Sequence, residues 1–141
     1  AEGMLLFICT GNICRSPMAA AIAAGVLGPD GPAVASAGVL AIDGAPATPS
    51  ASVACEEMGL SLRGHRARQL TAAVAAEADA IYVMTAVQRR QVLEIAPEAA
   101  GRVELLRPDG ADVDDPYGLP VEVYRAARDE IAAAIEERFG R

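Results

Sequence analysis

Short blocks of consecutive apolar residues alternate along the chain with longer stretches in which apolar positions recur every three or four residues. Residues 4–9 (MLLFIC) form the first block, apolar throughout and so suited to a strand buried on both faces. Ser16-Pro17 comes next, a capping residue ahead of a proline whose fixed φ suits a first helical turn, and the helix it opens is predicted to reach about Leu27. Residues 34–39 read as a second strand. Thr48-Pro49 repeats the cap-plus-proline signature and starts a helix expected to end near Gly59. Thr71 caps a short helical turn over 72–78. Residues 81–84 read as a third strand, with a helix from about Ala86 to Ala96 that Pro97 stops, and 103–106 as a fourth. A loop rich in Asp, Gly and Pro spans 107–120. The last helix is predicted over 121–139, with Val121, Tyr124, Ile131, Ile135 and Phe139 at mostly helical spacing and Gly140 behind.

This alternation predicts an α/β fold: a four-stranded parallel sheet with helices on both faces, a three-layer sandwich. In such sheets ligands bind beyond the carboxyl ends of the strands. No repeat, linker or low-complexity block divides the chain, so residues 1–141 are expected to form one domain, with Ala1-Glu2-Gly3 ahead of Met4 as an appended remnant.

Composition narrows the function classes. The chain is 52% hydrophobic but only 4% aromatic, without tryptophan, so much of its apolar content is alanine. Twelve basic residues, every one arginine, against nineteen acidic ones leave a net charge of −7. That balance argues against nucleic acid or an anionic membrane surface as a partner. The longest apolar stretch, Pro17 to Leu27, falls short of the roughly 20 residues that span a bilayer. No basic segment precedes the first apolar block, which argues against a secretory leader; together with three cysteines, an odd number, this points to reduced thiols and a cytoplasmic location. One histidine, scattered cysteines and aspartates at 109, 112, 114 and 115 match neither zinc nor calcium spacing, and no metal or cofactor is expected.

The candidate chemistry sits in residues 9–16, Cys-Thr-Gly-Asn-Ile-Cys-Arg-Ser, between the first strand and a helix N-terminus. Backbone N–H groups of a tight loop and of the first helical turn make an anion cradle. Gly11 is expected to permit a backbone conformation or a close approach that a side chain would obstruct. Arg15 can grip two phosphate oxygens with its planar fork. Cys9, beneath the cradle, presents a thiolate that the same field favours, and a thiolate facing phosphorus is a nucleophile. Cys55 lies within the second helix and reads as packing.

Cys9–Met18 (CTGNICRSPM) resembles the phosphate-binding loop of the low-molecular-weight protein-tyrosine phosphatases. Asp114-Asp115-Pro116-Tyr117-Gly118 resembles their general-acid segment, and Ser36-Ala37-Gly38 and Gly64–Gln69 match intervening family segments. The resemblance covers nearly the whole chain. It implies that Cys9 attacks phosphorus to form a cysteinyl-phosphate, while Arg15 and the amides of Thr10, Gly11, Asn12, Ile13, Cys14, Arg15 and Ser16 hold the phosphate. It implies that Asp115 protonates the leaving oxygen and then activates water. By the same resemblance Ser16 donates its hydroxyl to the sulfur, Asn12, Ser36 and His65 brace the loop, and Cys14 is a reversible disulfide partner of Cys9. The implied partners are a phosphorylated protein substrate and inorganic phosphate or other oxyanion inhibitors, and the protein is expected to be a monomer.

Related chemistries compete. A branch that hydrolyses phosphoarginine on proteins carries threonine where this chain has Ile13, which is the tyrosine-type choice; yet 36–39, 47–49 and the single aromatic after Asp-Pro look closer to that arginine branch. Phosphotyrosine is the favoured substrate, with Ile13 and Tyr117 lining the pocket and Tyr117 forming the apolar wall nearly alone. Arsenate reductases of this fold need late cysteines, and the chain has none after Cys55. Cysteine phosphocarriers of a related fold need no general acid and generally lack the loop arginine, so Arg15 with Asp115 favours hydrolysis.

Overall fold

The computed structural model describes residues 3–140. Four strands, β1 (Met4–Cys9), β2 (Ala33–Gly38), β3 (Ala80–Val83) and β4 (Val103–Leu105), lie in the order β2-β1-β3-β4, and every neighbouring pair is parallel. The helices are α1 (Arg15–Leu27), α2 (Pro49–Glu56), α3 (Ala72–Ala76), α4 (Ala86–Ile95) and α5 (Val121–Phe139), with a 3-10 turn over Pro97–Arg102. The α/β architecture read from the sequence is the one the chain adopts.

β1 is the central element, and its continuous apolar run has a direct cause. Alternate side chains serve opposite faces. Phe7 and Cys9 join Met18 and Ile22 of α1, residues of α2, and Ile131 and Ile135 of α5 in one core. Leu6 and Ile8 join Ile81 and Val83 of β3 and Val92 of α4 in the other. Leu6, Phe7 and Ile8 are fully buried, each contributing about 1.5–3 kcal/mol over an exposed side chain. β1 pairs with β2 on one side and β3 on the other, so the chain order reverses beside the end of β1. Parallel sheets open a crevice at such a point, and Cys9 ends there.

Two boundaries differ from expectation for reasons that matter to the site. Helix α1 begins at Arg15, with Cys14 in the cap position and no side-chain cap at all. Ser16 is inside the helix, its hydroxyl committed elsewhere. Helix α2 stops at Glu56 rather than Gly59, because the N–H groups of Met58 and Leu60 both turn back to the Cys55 carbonyl, with Gly59 at φ 77°. Thr48, Thr71 and Thr85 cap α2, α3 and α4 through their side chains. Among the described residues no helix is long and apolar enough to cross a membrane.

Candidate active site

The loop between β1 and α1 has its carbonyls turned outward. Cys9 O accepts from Val39 N (3.1 Å), Thr10 O from Leu40 N (2.9 Å), Ile13 O from Thr48 N (2.9 Å) and Cys14 O from Met18 N (3.3 Å). Asn12 O meets His65 Nε2 at 2.6 Å. Among the described residues, no N–H of Gly11 to Cys14 finds a protein acceptor. A loop with every carbonyl from Cys9 to Cys14 except that of Gly11 spent and its donors unspent, running into an uncapped helix N-terminus, is built for an anion.

Asn12 is the keystone. It is fully buried and is the one non-glycine described residue with positive φ, 57°, a region asparagine tolerates better than most. Its Oδ1 accepts from Arg68 N (3.0 Å), which turns Nδ2 toward Ser16 Oγ at 2.7 Å. Ser16 Oγ, already accepting that bond, has its own proton left for Cys9 Sγ at 3.0 Å. A serine donor therefore faces the sulfur before any substrate arrives.

His65 meets the loop as expected, whereas Ser36 reaches it only indirectly: its carbonyl accepts from Arg68 Nε (3.1 Å), and Arg68 in turn holds Asn12. Gly11 is not the tight glycine. Its φ is not positive, and a Cβ there would meet nothing nearer than the Ile13 side chain at 3.5 Å. That role falls to Gly38, where a Cβ would stand 2.5 Å from Thr10 O and 3.0 Å from Asn12 N. The last residue of β2 must be bare so that the loop can pass over it.

Cys9 and Arg15 are 2% and 3% exposed, at the bottom of a cavity of about 250 Å³. Arg15 is anchored by Nη1 to the Val113 carbonyl at 2.8 Å, while its Nε is buried without a partner. An unpaired guanidinium N–H in such a place is costly unless an acceptor occupies the pocket. Asp115 stands over Arg15, Oδ1 to Nη2 3.8 Å, with its side chain 57% exposed and Tyr117 N donating to Oδ1 at 3.1 Å. Sulfur, guanidinium and carboxylate thus meet across one cavity, an arrangement that can hold a tetrahedral oxyanion against a nucleophile with a proton carrier at the mouth.

Comparison with known proteins agrees. The family model described as low molecular weight phosphotyrosine protein phosphatase matches residues 4–139. The chain belongs to that family. It is 41% identical over 137 residues to a protein-arginine-phosphatase of Geobacillus stearothermophilus, covering 94% of this chain and 90% of the relative. It is 42% identical over 124 residues to EpsP of Ralstonia solanacearum, described as a probable low molecular weight protein-tyrosine-phosphatase, covering 87% and 84%. Among solved structures, Wzb of Vibrio vulnificus in complex with benzylphosphonate superposes with a TM-score of 0.93 at 31% identity, covering 98% of this chain and 97% of Wzb.

Within this member of the phosphatase family, sequence reasoning missed the apolar mouth. Tyr117 does not form the wall nearly alone: Leu40, Ile42 and Ala45, from the segment after β2, line the cavity with it and Ile13. It also missed Gln88, almost fully buried on α4. Its Oε1 accepts from Met84 N (2.9 Å) and Thr85 N (3.1 Å), and its Nε2 donates to Thr10 Oγ1 (3.2 Å), which ties α4 to the loop. The glutamine three residues after Thr85 was visible as half of a capping box, but its reach to Thr10 was not.

Cys14 faces α5, its Sγ 3.5 Å from Tyr124 Oη and 3.7 Å from Thr48 Oγ1. Burial pushes the Cys14 thiol up from its usual range, although both hydroxyls pull it back. Burial, and then the bond to Cys14, push Tyr124 up to about 12. A phenol near 10 when unfolded and near 12 when folded favours the fold while it stays neutral. Its contribution is complete below pH ~10 and lost as pH rises toward about 12. Urea unfolding midpoints should therefore fall across that window, and Tyr124→Phe should flatten the fall; an unchanged slope in the variant would contradict the assignment.

Proposed function

We propose that this protein hydrolyses phosphotyrosine in proteins through a cysteinyl-phosphate. Cys9 Sγ attacks phosphorus while Arg15 and the amides of Thr10 to Ser16 hold the equatorial oxygens. Asp115 gives its proton to the departing phenolic oxygen, then takes one from the water that attacks the phosphocysteine, so Cys9 leaves as the thiolate that the Ser16 hydroxyl receives. Asn12 and His65, with Ser36 acting through Arg68, keep the loop in shape. In the same reading Cys14 is the reversible disulfide partner of Cys9: a peroxide oxidises Cys9 to a sulfenic acid, the Cys14 thiol condenses with it with loss of water, and an external thiol reduces the bond again. The observation that carries the proposal is the Arg15 Nε, buried and unpaired among the described residues, in one cavity with Cys9 and with a loop whose Gly11 to Cys14 N–H groups find no acceptor among those residues.

The mouth favours an aryl ester. Ile13, Leu40, Ile42 and Tyr117 offer apolar surface to a ring, and the Vibrio protein, similar over almost its full length, is solved with benzylphosphonate. Phosphoarginine is the second reading, kept by the relative named for that activity. A guanidinium leaving group needs acceptors along the wall, and among the described residues Asp115 is the one carboxylate lining the cavity. Hydrolysis of a phosphotyrosine peptide and a phosphoarginine peptide, measured side by side, tests the choice. The tyrosine peptide should be preferred, and Ile13→Thr should move the kcat/KM ratio toward phosphoarginine by about tenfold, on the scale of one added polar contact. A ratio that stays put, or a wild-type preference for phosphoarginine, would reverse the assignment.

A further inference from the structure

Leu40 and Ile42 are 76% and 79% exposed, so their own packing does little to hold them, yet both line the cavity mouth. Cys9 O and Thr10 O hold the Val39 and Leu40 N–H groups from the loop side, and the rest of the ledge carrying the two side chains is fixed from the opposite side. One residue, Gln69, grips it at three alternate positions, two through the ledge's backbone and the third through the Asp43 side chain. Its Nε2 donates to Val39 O (2.9 Å), its Oε1 accepts from Ala41 N (2.8 Å), and its backbone N–H donates to Asp43 Oδ1 (2.7 Å). The fixed donor and acceptor roles of these backbone partners leave one orientation for the amide, and Nε2 also donates to Leu70 O at 3.1 Å. Gln69 itself is locked to the end of β2: it bridges Gly38, with Gly38 N bonded to Arg68 O and Leu70 N to Gly38 O.

We propose that Gln69 is a positioning residue for substrate recognition, holding Val39, Ala41 and Asp43 so that Leu40 and Ile42 form a preformed apolar ledge against the leaving group. This rests on the aryl-phosphate reading above and adds to it the residue that shapes the mouth. Gln69 touches no part of the phosphate cradle directly. An exposed apolar ledge fixed in advance spares the bound state the ordering of two side chains, and the benefit appears in substrate affinity rather than in chemistry at phosphorus.

The test separates mouth from cradle. Gln69→Ala removes the side-chain grip; Gln69→Glu keeps an acceptor for Ala41 N but sets a carboxylate against the Val39 and Leu70 carbonyls. Asp43→Ala, at an exposed position, loosens the same ledge with little risk to folding. With a phosphotyrosine peptide, KM should rise about tenfold in the Gln69 variants and less in Asp43→Ala, with kcat within about twofold. Competitive inhibition by inorganic phosphate, which reads the cradle alone, should stay within about twofold. Leu40→Ala with Ile42→Ala should raise KM similarly, and Gln69→Ala should add little on that background, because the three act as one unit. A KM that does not move in Gln69→Glu and Asp43→Ala would overturn the proposal, as would a parallel loss of phosphate inhibition. Absent wild-type turnover of the phosphotyrosine peptide would overturn the functional reading itself, and this inference with it.

Discussion

Replacing Cys9 by serine is expected to abolish turnover while inorganic phosphate and vanadate still bind. The two parts of that result come from different atoms. Attack on phosphorus needs an anion poised under the pocket, and a serine hydroxyl at the end of β1 has no base to take its proton: its neighbour, the Ser16 hydroxyl, accepts from Asn12 and is itself far too weakly basic to deprotonate an alcohol. The loss should be roughly 10⁴-fold or more, the scale seen when a nucleophile is removed from a preorganised site. Binding belongs to the rest of the cradle. The loop N–H groups and Arg15, anchored on Val113 O, do not depend on the sulfur for their positions. Phosphate release assays on a phosphotyrosine peptide, paired with calorimetric titration of phosphate, give both readouts. Full activity in the variant would discard Cys9 as nucleophile, and joint loss of binding and turnover would mean that the sulfur holds the loop rather than works beneath it.

The elements were legible because their signals are local. Met4–Cys9 is apolar at every position, and Thr48-Pro49 and Thr71 cap the helices that begin directly after them, so strand and helix identities emerged with boundaries shifted by a few residues. The loop from Cys9 to Ser16 was legible for the same reason, as one contiguous segment. The features that escaped depend on contacts between distant positions. Ser16 looks like an N-cap, since a serine before proline normally is one; only Asn12 on one side and Cys9 on the other reveal why its hydroxyl is withheld from that task. Gly11, inside the motif, attracted the steric argument that belongs to Gly38, because nothing local marks the end of β2 as the place where the loop crosses. Leu40 and Ile42 resemble ordinary loop residues until Gln69, twenty-nine and twenty-seven positions later, is seen to hold the ledge they stand on.

Asp115→Asn is expected to divide substrates by leaving group. A tyrosyl oxygen departs poorly as an anion, so losing its proton donor should slow a phosphotyrosine peptide by about 10²–10⁴-fold. An aryl phosphate with a strongly activated phenol needs no such help in leaving, and its phosphocysteine formation should fall far less. Geometry makes the comparison clean. Asparagine keeps an Oδ1 for the Tyr117 N–H, so the segment over the pocket retains its turn. The substitution also removes a negative charge 3.8 Å from the Arg15 guanidinium, so phosphate should bind at least as well. Weaker binding therefore cannot account for the slower peptide. Dephosphorylation of the cysteine needs a base for its water, so the variant should accumulate phosphoenzyme on activated substrates and show a burst of phenol ahead of a slow steady state. Rapid-mixing measurement of that burst reads the second role of Asp115 separately from the first. Equal slowing of both substrate types, with no burst, would leave the carboxylate as a mere partner of Arg15 and return the proton to another donor.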